Sequence, residues 1–243
     1  MVKVSRSKID LFLECPRCFW LDVKHKIKRP PPAPYTINSA IDYLLKQEFD
    51  VYRKTGKPHP IMVKAGIDAI PYDSPHMDVW RHNFTGVQHH HRESDFTVFG
   101  AVDDVWINPA EELMVVDYKA TGAKEHKIHE GYPVQMEIYQ WLLRQNGYKV
   151  SPIGYFVFAR VSKQDGFAGN LANGQKALNF DIFVEPLEGN SDWIPDALLK
   201  ARQVYDSEEL PEPSPECEYC AYRYNSARLA GEILKKKANG HSS

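Results

Sequence analysis

The residues best suited to chemistry lie on two apolar stretches near the middle of the chain. Phe96 to Ile107 and Leu113 to Ala120 are separated by the turn formers Asn108-Pro109-Ala110-Glu111-Glu112, which predicts a hairpin. Pairing Ile107 with Leu113 across that loop sets Asp103 opposite Asp117. Like charges directly across a ladder repel, so the pair calls for a compensating cation, which a divalent metal supplies. Alternation along a strand points Asp117 and Lys119 to one face and Tyr118 away from it. Carboxylate oxygens with few histidines suit Mg2+ or Mn2+, ions that bind phosphates and activate water, and a nearby lysine can steer that water or stabilise developing charge. In outline this is a phosphodiester-hydrolysing site. An Asp-x-Lys tripeptide alone is more often a solvated hairpin face, so its neighbours along the chain must carry the weight. On the next predicted helix, Gln135 and Tyr139 share a face at i, i+4 spacing.

A second constellation lies at the two ends of the sequence. Cys15-Pro16-Arg17-Cys18 and Cys217-Glu218-Tyr219-Cys220 are two Cys-x2-Cys pairs, the usual signature of a four-thiolate metal site. One ion or cluster shared by these hooks would close a loop of roughly two hundred residues, remove unfolded-state entropy and tie the termini together, a structural role. Zinc and a 4Fe-4S cluster both accept four cysteines, and spacing does not separate them.

The motifs Gly100-Ala101-Val102-Asp103, Asp117-Tyr118-Lys119 and Gln135-Met136-Glu137-Ile138-Tyr139 resemble, in order and spacing, the active-site motifs of PD-(D/E)xK nucleases, and specifically of the RecB-like exonucleases. The segment from Ser7 to Pro16 is similar to the opening helix and first cluster cysteine of the iron-sulfur members, which include the RecB-like exonucleases of CRISPR adaptation. The resemblance spans roughly Ser5 to Tyr224. It implies that Asp103 and Asp117 bind the metal with the Tyr118 carbonyl assisting, that Lys119 is catalytic, and that Gln135 and Tyr139 line the substrate groove. Many relatives place a histidine ligand on the second helix, where Asn38-Ser39-Ala40-Ile41-Asp42 offers Asp42 as the ligand instead. The iron-sulfur members usually carry one early and three late cysteines. Here Ser226 stands about where the third late one is expected, and Cys18 is the extra early one. The resemblance thus favours a 4Fe-4S cluster with redistributed ligands, and the departure keeps zinc as the alternative.

The elements that must position these groups are legible in outline. Ser5 to Val23 reads as two short helical segments with a turn, and Pro30, Pro31, Pro32 and Pro34 make an extended connector that cannot continue a helix. Ile41, Leu45, Phe49 and their neighbours recur at helical spacing over about 38–54, with Asn38 or Ser39 as the N-cap. Pro58 to Pro75 resists assignment. Helices are predicted over Val134–Asn146 and Pro195–Glu209, and strands over Gly154–Val161 and Leu178–Val184. The order predicts an α/β or α+β fold with a mixed sheet. The resemblance implies the α/β restriction-endonuclease-like core of the PD-(D/E)xK nucleases, a mixed sheet flanked by helices, and the cysteine pairs imply a metal-bound subdomain joining the N- and C-terminal segments. The 243 residues are expected to form one nuclease domain, 1–243, in which 1–30 and 210–237 make up the metal-bound subdomain.

Composition narrows the rest. With 43% apolar residues and 26% charge the chain is globular, not disordered. A net charge of -2 gives no chain-wide field for a polyanion, so DNA must be held by local patches. Lys24, Lys26, Lys28 and Arg29, with Arg223, Arg228 and Lys235 to Lys237, converge on one patch if the termini are tied. His89-His90-His91 reads as a solvated strand or loop. No stretch approaches the ~18 apolar residues of a spanning helix and no secretory leader is evident, so the chain is expected in the cytoplasm, away from membranes. The expectation is a Mg2+- or Mn2+-dependent DNA nuclease, an exonuclease by resemblance, acting on DNA alone or within a larger DNA-processing complex. The rival is a non-catalytic nucleic-acid-binding module on a decayed nuclease fold.

Overall fold

The structure, a computed structural model, describes residues 2–31, 36–123, 128, 131–163, 174 and 176–240. Pro32 and Pro34 of the predicted connector, and the side chain of Lys237, lie outside the described residues. The chain divides into two compact units, one of residues 1–6 and 33–195, the other of 7–32 and 196–243.

The first unit is a mixed α/β assembly of two sheets. Strands β1 (Val2–Ser5), β3 (Val87–His91) and β4 (Phe96–Gly100) form a sheet in the order β1-β4-β3. Strands β2 (Ile70–Pro71), β5 (Asp104–Ile107), β6 (Leu113–Thr121), β7 (Ile153–Val161) and β8 (Phe180–Glu188) form the larger sheet in that order. Within it β6 and β7 are parallel, and the neighbouring pairs are antiparallel. Helix α6 (Gly131–Gln145) makes the crossover that a parallel pair requires.

The predicted hairpin keeps its register, with Ile107 opposite Leu113 and Asp104 opposite Val116. Asn108 builds its turn, accepting at Oδ1 from the amides of Ala110 and Glu112 at 3.0 and 2.9 Å, while Glu111 adopts a φ of 61°. The first strand differs from expectation. Phe96–Ile107 is not continuous but breaks between Gly100 and Asp104, its two halves serving different sheets.

Helix α3 (Thr36–Thr55) starts two residues before the expected N-cap and buries Ile41, Leu45, Phe49 and Arg53, a stripe with a spacing of four. These apolar side chains pack on Trp106, Met114, Val116, Tyr118, Val157 and Ala159, one face of the large sheet. Strand alternation sends Asp117 and Gly154 to the opposite face, where α6 lies. The unassigned stretch holds α4 (Pro60–Lys64) and β2, and α5 (Met77–Arg81) follows it. The histidine run occupies β3, and His91 is buried, its Nδ1 2.9 Å from Ser94 Oγ, not solvated as expected.

In the second unit, α1 (Arg6–Glu14) and α2 (Pro16–Val23) pack by an edge-on contact of Phe12 with Phe19, centroids 5.4 Å apart. Helices α7 (Ile194–Asp206) and α8 (Glu218–Gly240) bring in the late segment. Side chains of the early segment clamp its backbone: Trp20 Nε1 donates to the Ser207 carbonyl at 2.9 Å and Arg17 Nε to that of Pro211 at 2.7 Å. Among the described residues, no helix is long and apolar enough to cross a membrane.

Candidate active site and cysteine site

The break before β5 makes the candidate active site. Since β5 pairs only with residues 113–116 of β6, the next residues of β6 keep β7 on one side and have no ladder partner on the other. Asp103 fills the first vacant position, its Oδ2 accepting the Tyr118 amide at 3.0 Å. In an extended strand the N–H and C=O of one residue leave on the same side, so the Tyr118 carbonyl shares that open edge. The edge faces a cleft of about 320 Å3 whose lining includes Asp42, Asp103, Tyr118, Lys119 and Tyr132.

Asp117 lies behind the cleft, 1% exposed, with Gln135 Nε2 donating to its Oδ1 at 2.6 Å and Lys119 paired to its Oδ2. Lys119 Nζ also donates to Gln135 Oε1 at 3.1 Å and lies 4.5 Å from the centroid of the Tyr132 ring. Gln135 reaches Tyr139 Oη at 3.3 Å, so Asp117, Lys119, Gln135 and Tyr139 form one hydrogen-bonded cluster. Burial, reinforced by the charge of Asp103 and opposed by Lys119, pushes the Asp117 carboxyl up to about 7. Burial raises Tyr139 to about 12, so its phenol stays protonated, and its oxygen accepts from Gln135 Nε2. Tyr118 points away as expected: its hydroxyl donates to Asp104 Oδ2 at 2.6 Å.

Asp42 is brought to Asp103 by a residue that the sequence reading missed. Lys46 Nζ stands 2.8 Å from Asp42 Oδ2 and 2.9 Å from Asp103 Oδ1, so those two oxygens are no further apart than the two distances laid end to end. Burial works against the ammonium, yet Asp103 and Asp42 together raise its pKa. Lys46 and Lys119 thus supply the cations that the opposed carboxylates require, a role expected of a metal alone. The i, i+4 spacing of Asp42 and Lys46 is the signal that could have revealed the pair.

A second missed group lies under the site. Arg53 pairs with the buried Asp104, and Arg81 donates from Nε to the Asp103 carbonyl at 2.9 Å and from Nη1 to Asp50 Oδ2 at 2.8 Å. These arginines fix the backbone at Asp103 from below. Gly100 is equally constrained, because a Cβ there would lie 2.5 Å from Tyr139 Cε1.

The donor set suits a hard divalent cation. Asp42, Asp103 and Asp117 offer carboxylate oxygens, and Asp42 Oδ1 is buried with no hydrogen-bond partner, an oxygen available to a ligand.

In the second unit all four cysteines are buried and none is in a disulfide. Their sulfurs lie within 4.8 Å of one another, the one group of three or more metal-ligand side chains drawn together in this way among the described residues. Cys15 caps α2 in an extended conformation ahead of Pro16, and Cys217 immediately precedes α8, so both hooks sit at helix N-termini, where the dipole favours thiolates. Burial acts against ionisation of Cys15, but backbone donors at Cys18 and Ser214 outweigh it and lower the thiol to about 7. Arg29 Nη2 approaches Cys217 Sγ at 3.4 Å, with its Nη1 on Glu14 at 2.6 Å. Lys24 is bound to the Ser207 carbonyl and Glu208, Lys26 donates to the Val23 carbonyl and Arg228 pairs with Glu232, so with Arg29 four of the cations offered for a phosphate-gripping patch have partners within the unit.

A mixed sheet carrying two aspartates and a lysine at one open strand edge is the framework of a metal-dependent nuclease. The family model of the PD-(D/E)XK nuclease superfamily matches residues 45–224, most of the chain, and the protein belongs to that superfamily. Among solved structures, SSO0001 is similar with a TM-score of 0.42 and 14% identity, covering 91% of this chain and 84% of that one. No curated protein matches the sequence.

Proposed function

We propose that the chain is a DNA nuclease of the RecB-like branch, hydrolysing phosphodiester bonds from DNA ends with Mg2+ or Mn2+. The observation that carries the reading is the shared cleft, where Asp42, Asp103 and Lys119 reach the surface and Asp117 is held behind them by Gln135 and Lys119. Asp42, Asp103, Asp117 and the Tyr118 carbonyl would hold the ion, which supplies Lewis acidity and a more acidic bound water. The protein supplies the rest. Gln135 orients Asp117 and Lys119 at once, so the ammonium is directed where charge develops on the phosphate. Lys119, above Tyr132, stays near the cleft as a donor. Tyr139 holds Gln135 from the far side.

The four cysteines act as a structural metal centre, with residues 1–30 and 210–237 gathered around it as a subdomain of a single nuclease. The rival, a binding module without catalysis, draws on Lys46, whose ammonium stands between two of the carboxylates.

The test is end-labelled single- and double-stranded DNA incubated with the anaerobically purified chain, with and without Mn2+. Metal-dependent cleavage is expected, and Asp117→Asn and Lys119→Ala should each reduce it by at least about 100-fold, at the level of losing a proton-transfer or charge-stabilising group. Asp117→Asn should keep a melting temperature close to wild type, whereas Lys119→Ala, which leaves the buried Asp117 carboxyl without its cation, should melt lower while still folding. DNA binding without cleavage selects the rival, and full activity in either variant removes the site assignment.

A further inference from the structure

We propose that Cys15, Cys18, Cys217 and Cys220 hold a single tetrahedral zinc ion, not an iron-sulfur cube. The geometry points there directly. Cys15 Sγ lies 3.8 Å from Cys220 Sγ, and Cys18 Sγ lies 3.7 Å from Cys217 Sγ and 3.5 Å from Cys220 Sγ. Four thiolates bonded at about 2.3 Å to one tetrahedral ion stand about 3.8 Å apart, the edge of the tetrahedron that this bond length defines. A cube has a different requirement. Each of its four irons takes one cysteine, so the iron and sulfide core pushes the thiolates outward, well beyond contact with one another. Sulfurs within 4.8 Å of one another leave room for one ion and none for eight core atoms.

The surrounding backbone maintains that spacing. The Cys15 amide donates to the Leu11 carbonyl at 2.9 Å and the Cys217 amide to that of Ser214 at 3.0 Å, so each hook is fixed at its own root. The clamps from Arg17 to Pro211 and from Trp20 to Ser207 then keep the early and late hooks from parting. Charge is also provided for. One Zn2+ with four thiolates is doubly negative, and the Arg29 guanidinium at Cys217 together with the N-termini of α2 and α8 answers it. Among single ions, thiolate softness and the affinity order place Zn2+ above Fe2+.

The experiment is elemental analysis, sulfide determination and visible spectroscopy on the full chain purified without oxygen and without added metal. One zinc per chain, no acid-labile sulfide and no colour are expected. Exchange with Co2+ should then give the intense visible bands of tetrahedral thiolate cobalt. A thiol-specific mercurial should release the zinc after reacting with four thiols, a readout that needs no variant to fold. Cys18→Ser should lose most of the zinc. A brown protein with iron and sulfide, one iron without sulfide, or a chain free of metal would each overturn the proposal. Zinc content is read whether or not DNA is cleaved, so its failure and that of the nuclease reading are separate results.

Discussion

Lys46 shows how the candidate site manages its charge. The ammonium joins Asp42 to Asp103, the two carboxylates nearest the cleft mouth, and in doing so competes with any divalent ion for the same oxygens. Replacing Lys46 with alanine leaves that pair facing each other unneutralised. The metal-free variant should lose about 1 to 2 kcal/mol, a modest figure because both groups are partly solvated. Added Mn2+ should then raise its melting temperature more than it raises that of wild type. Equal Mn2+ responses in the two proteins would show that the lysine and the ion do not share a site. At this scale the sequence was informative about what a reaction needs and silent about what balances it. Asp103, Asp117, Lys119, Gln135 and Tyr139 stood in recognisable motifs, and the structure brings them into adjoining contacts. Lys46 and Arg81 carry no motif, since a lysine or arginine on a helix is ordinarily a solvated residue, and only folding reveals which carboxylates surround it.

At the scale of elements, the buried stripe of α3 ends in a charged residue, Arg53, four positions after Phe49. That placement is readable as a demand for a buried acid, which Asp104 meets. The neighbouring Asp50 receives both Arg53 and Arg81. Burial alone would raise the Asp50 carboxyl, but hydrogen bonds from Arg81 and Arg53 outweigh it and hold its pKa below the usual carboxylate range. A carboxyl with a depressed folded-state pKa stabilises above its unfolded value, and that contribution disappears as pH falls through the folded one. Asp50→Asn should therefore melt lower than wild type at pH 7, and the gap should close as pH drops below about 4. A gap unchanged across that range would remove the ion pairs as its cause. Packing of α6 gives a second prediction. A Cβ on Gly154 would meet Met136 Sδ at 2.3 Å and the Val115 carbonyl oxygen at 2.9 Å, and the backbone atom cannot move aside cheaply. Gly154→Ala should cost about 1 to 3 kcal/mol in urea unfolding. Gly131→Ala, with nothing within 4 Å, should be neutral or stabilising by up to about 1 kcal/mol. The hairpin register followed from turn chemistry, whereas the division of its first strand did not. Periodicity over Phe96–Ile107 is uninterrupted enough to read as one strand, and the tertiary choice of two sheets is what separates it.

At the scale of the whole chain, sequence and space are interleaved. The second unit takes residues 7–32 and 196–243, and the first takes nearly everything between. Periodicity placed α1, α2 and α7 of the second unit but not α8, whereas the two Cys-x2-Cys pairs were the trace in the sequence that its early and late segments meet. Removing the cysteine-bound metal should act on one unit. After chelation, amides in 7–32 and 196–236 should lose protection from hydrogen exchange, while β5, β6 and β7 keep theirs. Mass spectrometry of the exchanged peptides reads both in one experiment. Simultaneous loss in the central strands would show that the units unfold together.

The interleaving also sets an order of events during synthesis. Cys18 and Cys217 are separated by 199 positions. At about 5 to 20 residues per second, the second hook leaves the ribosome roughly 10 to 40 s after the first. In that interval every residue of the β-rich unit has been translated, and it can fold while α1 and α2 still lack their partners. The early cysteines spend this time exposed and bidentate, able to take a metal from the cellular pool with half of a complete ligand set. Closure then waits for the second hook, so until residue 217 has emerged the first Cys-x2-Cys pair has no partner thiolates with which to complete a site.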